Sequence, residues 1–69
     1  MVSSKRQFKT EGRLLSHIKN ILEGYDNLTV MSTVDAKMGL FDVIYPESRE
    51  EEVLIVMKGI KEEVNIEDL

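Results

Sequence analysis

Along the chain the apolar positions switch between a period of two and a period near 3.6, and the switches mark the elements. Residues 5–10, KRQFKT, alternate weakly around Phe8 and predict a strand presenting Arg6, Phe8 and Thr10 to one side. Met1 to Ser4 is expected to fray. Glu11-Gly12 breaks the alternation. Leu14, Leu15, Ile18, Ile21, Leu22 and Tyr25 then fall on one helical stripe, predicting a helix over Arg13 to Glu23. Gly24 stands where a left-handed C-cap belongs, Tyr25 is placed to pack back over the last turn, and Asp26-Asn27 turns the chain.

The stretch from Asn27 to Pro46 reads as one antiparallel hairpin, with strands from Leu28 to Val34 and from Leu40 to Tyr45. Gly39 ends the loop Ala36-Lys37-Met38-Gly39, which suits a type I turn closed by a left-handed residue. That closure sets Asp35 opposite Leu40, Val34 opposite Phe41, Ser32 opposite Val43 and Val30 opposite Tyr45. One face is then almost wholly apolar. The other carries Thr29, Met31, Thr33, Asp35, Leu40, Asp42 and Ile44, a mixture too apolar for a simple solvated face. Scattered surface hydrophobics are one reading of it and a covered face is the other.

After Pro46, Ser48-Arg49-Glu50-Glu51 reads as a capping box opening a second helix. Glu50, Glu51 and Glu52 sit at its positive end and Lys58 and Lys61 toward its negative end. Val53, Leu54, Met57, Ile60 and Val64 form the stripe. Gly59 disfavours helix and suggests close packing. Val64 to Leu69 alternates as a short last strand. The order strand, helix, strand, strand, helix, strand predicts a single α+β domain over residues 1–69. It is a ferredoxin-like βαββαβ two-layer sandwich, with a four-stranded, mostly antiparallel sheet and two helices on one face. The first strand is the most polar yet should lie centrally. Either it is central with its polar side chains on the open face, or the sheet has three firm strands and a loose fourth.

At 69 residues the chain is marginal, and small domains gain stability from disulfides, metal or association. Cysteine is absent and histidine occurs once, which leaves association. The net charge of −4 argues against nonspecific nucleic-acid or membrane binding; Lys5, Arg6 and Lys9 form only a local basic patch. Neither a membrane span nor a signal peptide is discernible, pointing to the cytoplasm.

No catalytic, metal or nucleotide signature is present, and no cofactor is expected. His17 lies on the shoulder of the first helix with no designated partner. Asp35 and Asp42 share the open face, too few ligands for a calcium site; Asp35 is more simply a turn residue. Glu11, Gly12 and Arg13 are the small-ligand candidates, because a glycine lets backbone approach closely and helix-start amides receive a carboxylate. Against this, Gly12 need only permit the turn.

A strand followed by Glu11-Gly12-Arg13-Leu14 at a helix start, then hairpin, helix and strand, resembles the ACT regulatory domains, although the proline common at that turn is missing. Tyr25-Asp26-Asn27-Leu28 followed by Ser32-Thr33-Val34-Asp35 is more similar to a small bacterial family known only as a domain of unknown function. The second resemblance covers nearly the whole chain and implies no activity; the first implies side-by-side pairing with amino acids held at the seam. The expectation is a non-enzymatic cytoplasmic module that self-associates as a homo-oligomer, most simply a dimer. It would do so through Met31, Thr33, Leu40, Asp42 and Ile44 or a sheet edge, and sense a small metabolite near Gly12. The alternative is a structural or adaptor subunit whose open sheet face docks on another protein.

Overall fold

The computed structural model describes residues 3–24 and 29–69. Its elements run β1 (Ser3–Thr10), a 3-10 turn (Gly12–Leu14), α1 (Leu15–Glu23), β2 (Val30–Asp35), β3 (Leu40–Pro46), a second 3-10 turn (Glu47–Arg49), α2 (Glu50–Glu63) and β4 (Ile66–Asp68). The strands make one antiparallel sheet in the order β2-β3-β1-β4. Each helix therefore joins two strands separated by a third, the split pattern of the ferredoxin-like sandwich. The expected roles of Tyr25, of Asp26-Asn27 and of Leu28 lie outside the described residues. Ser3 and Ser4, expected to fray, belong to β1 and pair with Pro46 and Tyr45.

The polar first strand is central, and its alternation explains how. Lys5, Gln7 and Lys9 pair with Ile44, Asp42 and Leu40 on the open face, while Phe8 pairs with Phe41 beneath the helices. Those two rings stack with centroids 5.7 Å apart, a contact worth about 0.5–1.5 kcal/mol beyond its buried area. Leu15, Ile18 and Leu22 from α1 and Val53, Met57 and Ile60 from α2 close over Phe41, Val43 and Tyr45 in one cluster. Both helices thus lie on the same face. Leu54, assigned to the α2 stripe, is 41% exposed instead.

The hairpin register departs from expectation. Asp35 pairs with Leu40 as foreseen, and Asp35 Oδ1 accepts the Lys37 and Met38 amides at 3.0 and 3.1 Å, which fixes the turn. Gly39 takes the left-handed conformation, φ 73°. A bulge then intervenes between Thr33 and Asp35, so Thr33 meets Phe41, Ser32 meets Asp42, Met31 meets Val43 and Val30 meets Ile44. Met31 and Thr33 consequently lie on the helix side, and Val30 and Ser32 on the open face. The cause is that β2 is about equally apolar on both faces, so its own pattern barely selects a register. Met31 packs against the core cluster and decides it.

Helix ends differ too. The Ser48 capping box does not form: α2 begins at Glu50 after the 3-10 turn, with no side-chain cap at either start. Gly24 is right-handed, φ −73°, and its amide returns to the Ile21 carbonyl. Gly59 does not mark close packing: a Cβ placed there meets no atom of the described residues. Gly39 is the opposite case, because a Cβ there would strike the Thr10 carbonyl. Gly39→Ala is therefore expected to cost more than about 1 kcal/mol, whereas Gly59→Ala should gain roughly 0.5–1 kcal/mol by removing helix-interior glycine. Urea denaturation of the two variants checks both signs.

Candidate functional site

The end of β1, the first helical turn and the hairpin loop meet at one corner. The Thr10 amide donates to the Gly39 carbonyl at 2.9 Å, and its hydroxyl donates to the Asn65 carbonyl at 2.6 Å. Thr10, the one buried polar side chain among the described residues, thereby clips the hairpin and the approach to β4 to the same strand. Gly12 abuts the hairpin loop so closely that a Cβ would overlap the Ala36 carbonyl oxygen. Its want of a side chain therefore serves packing against the hairpin loop.

Glu11 and Arg13, on either side of it, are exposed and joined by a 2.6 Å bond from Arg13 Nε to Glu11 Oε2. Glu11 borders two shallow grooves. One, of about 410 Å³, runs along Lys9, Thr10 and residues 65–67; the other, of about 310 Å³, is shared with Arg13, Leu14 and residues 61–65. Both carry charges of each sign.

The expected interface residues divide. Leu40, Asp42 and Ile44 remain together on the open face, half-buried. Met31 and Thr33 do not join them, because the register after the bulge puts them on the helix side, where Met31 packs on the core; Val30 and Ser32 stand in their place. Asp42 is only 14% exposed, with Oδ2 3.9 Å from Lys5 Nζ and Oδ1 accepting no hydrogen bond from the described residues. Asp35 is occupied by the turn. His17 is exposed on α1. Among the described residues no three histidine, cysteine or acidic side chains converge as metal ligands, and no helix is long and apolar enough to cross a membrane.

A further cluster, which sequence spacing did not bring together, ties β1, β3 and α2. Arg6 Nε donates to the Tyr45 hydroxyl at 2.9 Å, Tyr45 donates to Glu50 Oε1 at 2.8 Å, and Arg6 Nη2 reaches the same oxygen at 3.2 Å. The signal was present in part, since Arg6 and Phe8 share one side of β1, the side on which α2 packs. Burial raises the Tyr45 hydroxyl above its usual range, helped by its bond to Glu50. The bonds from Tyr45 and then Arg6 hold the Glu50 carboxyl below its usual range. The cluster replaces the capping box as the tether of the α2 start.

The family model of a domain of unknown function, DUF4911, matches residues 11–64. The chain belongs to that family. This is the family that Tyr25–Leu28 and Ser32–Asp35 resemble, and the match takes in α1, the hairpin and α2. No curated protein and no solved structure matches this DUF4911 domain. Membership supplies no reaction, so any functional reading has to come from the geometry.

The Glu50 tether has a pH signature. Its folded carboxyl sits below the ordinary 4.5, so at acid pH the unfolded chain holds the proton more tightly and stability rises with pH. The contribution is complete above the ordinary value and lost as pH falls through the folded one. Relative to the parent chain, Glu50→Gln is expected to lose stability at neutral pH and to converge with it on acidification. Urea midpoints across the acid range measure that convergence.

Proposed function

We propose that this DUF4911 domain is a non-enzymatic cytoplasmic module that self-associates through its sheet and holds a small zwitterionic metabolite beside Glu11 and Arg13. The observation that carries the reading is a sheet covered on one side only. Its open face presents Val30, Leu40 and Ile44 next to the nearly buried, incompletely bonded Asp42. Association that covers the exposed Val30 and Val34 removes apolar surface from water at roughly 25 cal/mol per Å², a substantial gain for a domain this small. Mixed charge along the grooves beside Glu11 and Arg13 suits a ligand bearing both an ammonium and a carboxylate, in keeping with the looser ACT-like resemblance.

One observation favours a second reading. Lys5 and Lys9 project on the open face of a chain whose net charge is −4. A basic stripe beside apolar side chains also fits an adaptor that docks on an acidic partner protein.

Sedimentation of the isolated chain separates the two: a dimer is expected, and a monomer at every concentration overturns self-association in favour of the adaptor. Ligand binding is read by thermal shift across an amino-acid panel. A ligand at a hundred times its Kd adds about 2.7 kcal/mol, roughly 10 °C or more for so short a chain. Arg13→Ala is expected to abolish that shift, and no shift with any panel member overturns the metabolite role.

A further inference from the structure

We infer that two copies of the chain pair antiparallel along β2, about a two-fold axis at Ser32, joining their sheets into one of eight strands. The inference rests on the self-association proposed above and assigns it to the β2 edge, leaving the open face itself uncovered.

The direction of each backbone group follows from one hydrogen bond. The Thr10 amide donates to Gly39, one step beyond the Lys9–Leu40 pair. Hydrogen-bonded and non-hydrogen-bonded pairs alternate along an antiparallel ladder. Phe41, Val43 and Tyr45 therefore aim their backbone groups at β1, and Leu40, Asp42 and Ile44 aim theirs at β2. The Leu69 amide, donating to Gln7 on the far side of β1, obeys the same alternation. Across the hairpin, Val30, Ser32 and Asp35 answer β3. Met31 and Thr33 are left pointing their N–H and C=O groups out of the sheet edge.

Such an edge is a template for another strand unless charge, proline or brevity guards it. The other edge is guarded: β4 is three residues long and includes Glu67 and Asp68. From Val30 to Val34, β2 reads VMSTV, with neither charge nor proline, and Val30 and Val34 are 63% and 51% exposed. The bulge ends the usable ladder at Thr33 and leaves both outward residues on its regular side.

A second copy is the occupant this edge fits best, because a neutral strand is compatible with its own reverse. Outward groups must meet outward groups. With the axis at Ser32, Met31 exchanges both bonds with Thr33 of the second copy, and Thr33 with Met31 of the second copy. Val30 then lies opposite Val34 of the second copy, which shelters the exposed pair twice. An axis at Thr33 would set Met31 against Asp35, whose backbone groups already answer β3. An axis at Met31 would set Thr33 against Thr29, beyond the end of β2.

The chain has no cysteine, so a single introduced thiol reports a single contact. At the axis Ser32 is a non-hydrogen-bonded pair with itself, with Cα atoms about 4.5 Å apart, inside disulfide range. Ser32→Cys in the full chain, oxidised with glutathione disulfide, is expected to run as a covalent dimer on a non-reducing gel. Lys58→Cys, exposed on α2, is expected to stay monomeric there. Ser32→Lys and Ser32→Glu should each weaken the dimer roughly tenfold or more, and mixing the two should restore it. Ile44→Asp, on the open face one strand inside the seam, should remain dimeric. A parent dimer in which Ser32→Cys fails to cross-link overturns the edge pairing and leaves self-association standing. A monomeric parent overturns both. Should the charged variants fail to fold by circular dichroism, the cross-link alone decides.

Discussion

Two helices cannot shelter both faces of a four-stranded sheet, and most of this molecule follows from that shortage. Among the described residues, the sheltered face takes every buried aromatic: Phe8, Phe41 and Tyr45. The strand with the fewest apolar residues can then be central, because only its inward side needs to be apolar, and Phe8 against Phe41 supplies most of that. Lys5, Gln7 and Lys9 go to the open face, where they stand opposite Ile44, Asp42 and Leu40 of β3.

The edges of the core are closed by polar clips in place of further apolar bulk. Thr10 bonds both the hairpin and the approach to β4, Lys61 joins α2 to Asp68 at 2.6 Å while lying 5.6 Å above the Phe8 ring, and Arg6, Tyr45 and Glu50 hold the start of α2. The bonds from Thr10 and Arg6 join elements distant in sequence, so they contribute only after the sheet has formed, whereas Tyr45–Glu50 and Lys61–Asp68 tie each element to the next along the chain. Tyr45 shows why such clips suit a small domain. Its ring is part of the core and its hydroxyl, at the core's margin, finds a carboxylate and a guanidinium, so no polar atom is left unpaired.

Element order, the helix stripes and the left-handed Gly39 were legible in the sequence because each depends on neighbours a few residues away. What was illegible depends on comparisons between distant residues. Val30 and Val34 on one side of β2 and Met31 on the other are equivalent to a local pattern; only the space beneath α1 distinguishes them, and Met31 occupies it. The bulge at Val34 reconciles the turn, fixed by Asp35, with the face, fixed by Met31. Ser48 and Glu51 have the spacing of a capping box, yet Glu50 is already held by Tyr45 and by Arg6 of the central strand, and the helix starts there. Of the candidate ligand residues, the sequence located the corner but not the division of labour within it. Gly12 is consumed by contact with Ala36, a loop residue its local pattern does not reveal, while Glu11 and Arg13 stay exposed.

The bulge that hid the register also shapes the edge. Had β2 continued without it, Val30, Ser32 and Val34 would face the helices and Met31 and Thr33 the solvent, and the open face would gain a methionine and lose two valines. With it, the two valines stand exposed at either end of the ladder and a serine stands between them. Antiparallel pairing of such a segment with its own copy puts valine on valine and the small hydroxyl on the axis, where the strands are closest. The same pairing leaves the open face uncovered but doubles its extent, so Lys5 and Lys9 from each copy would flank one continuous apolar strip. On the proposed pairing, self-association and docking of an acidic partner would be compatible uses of a single sheet, the edge serving the first and the broadened face left for the second.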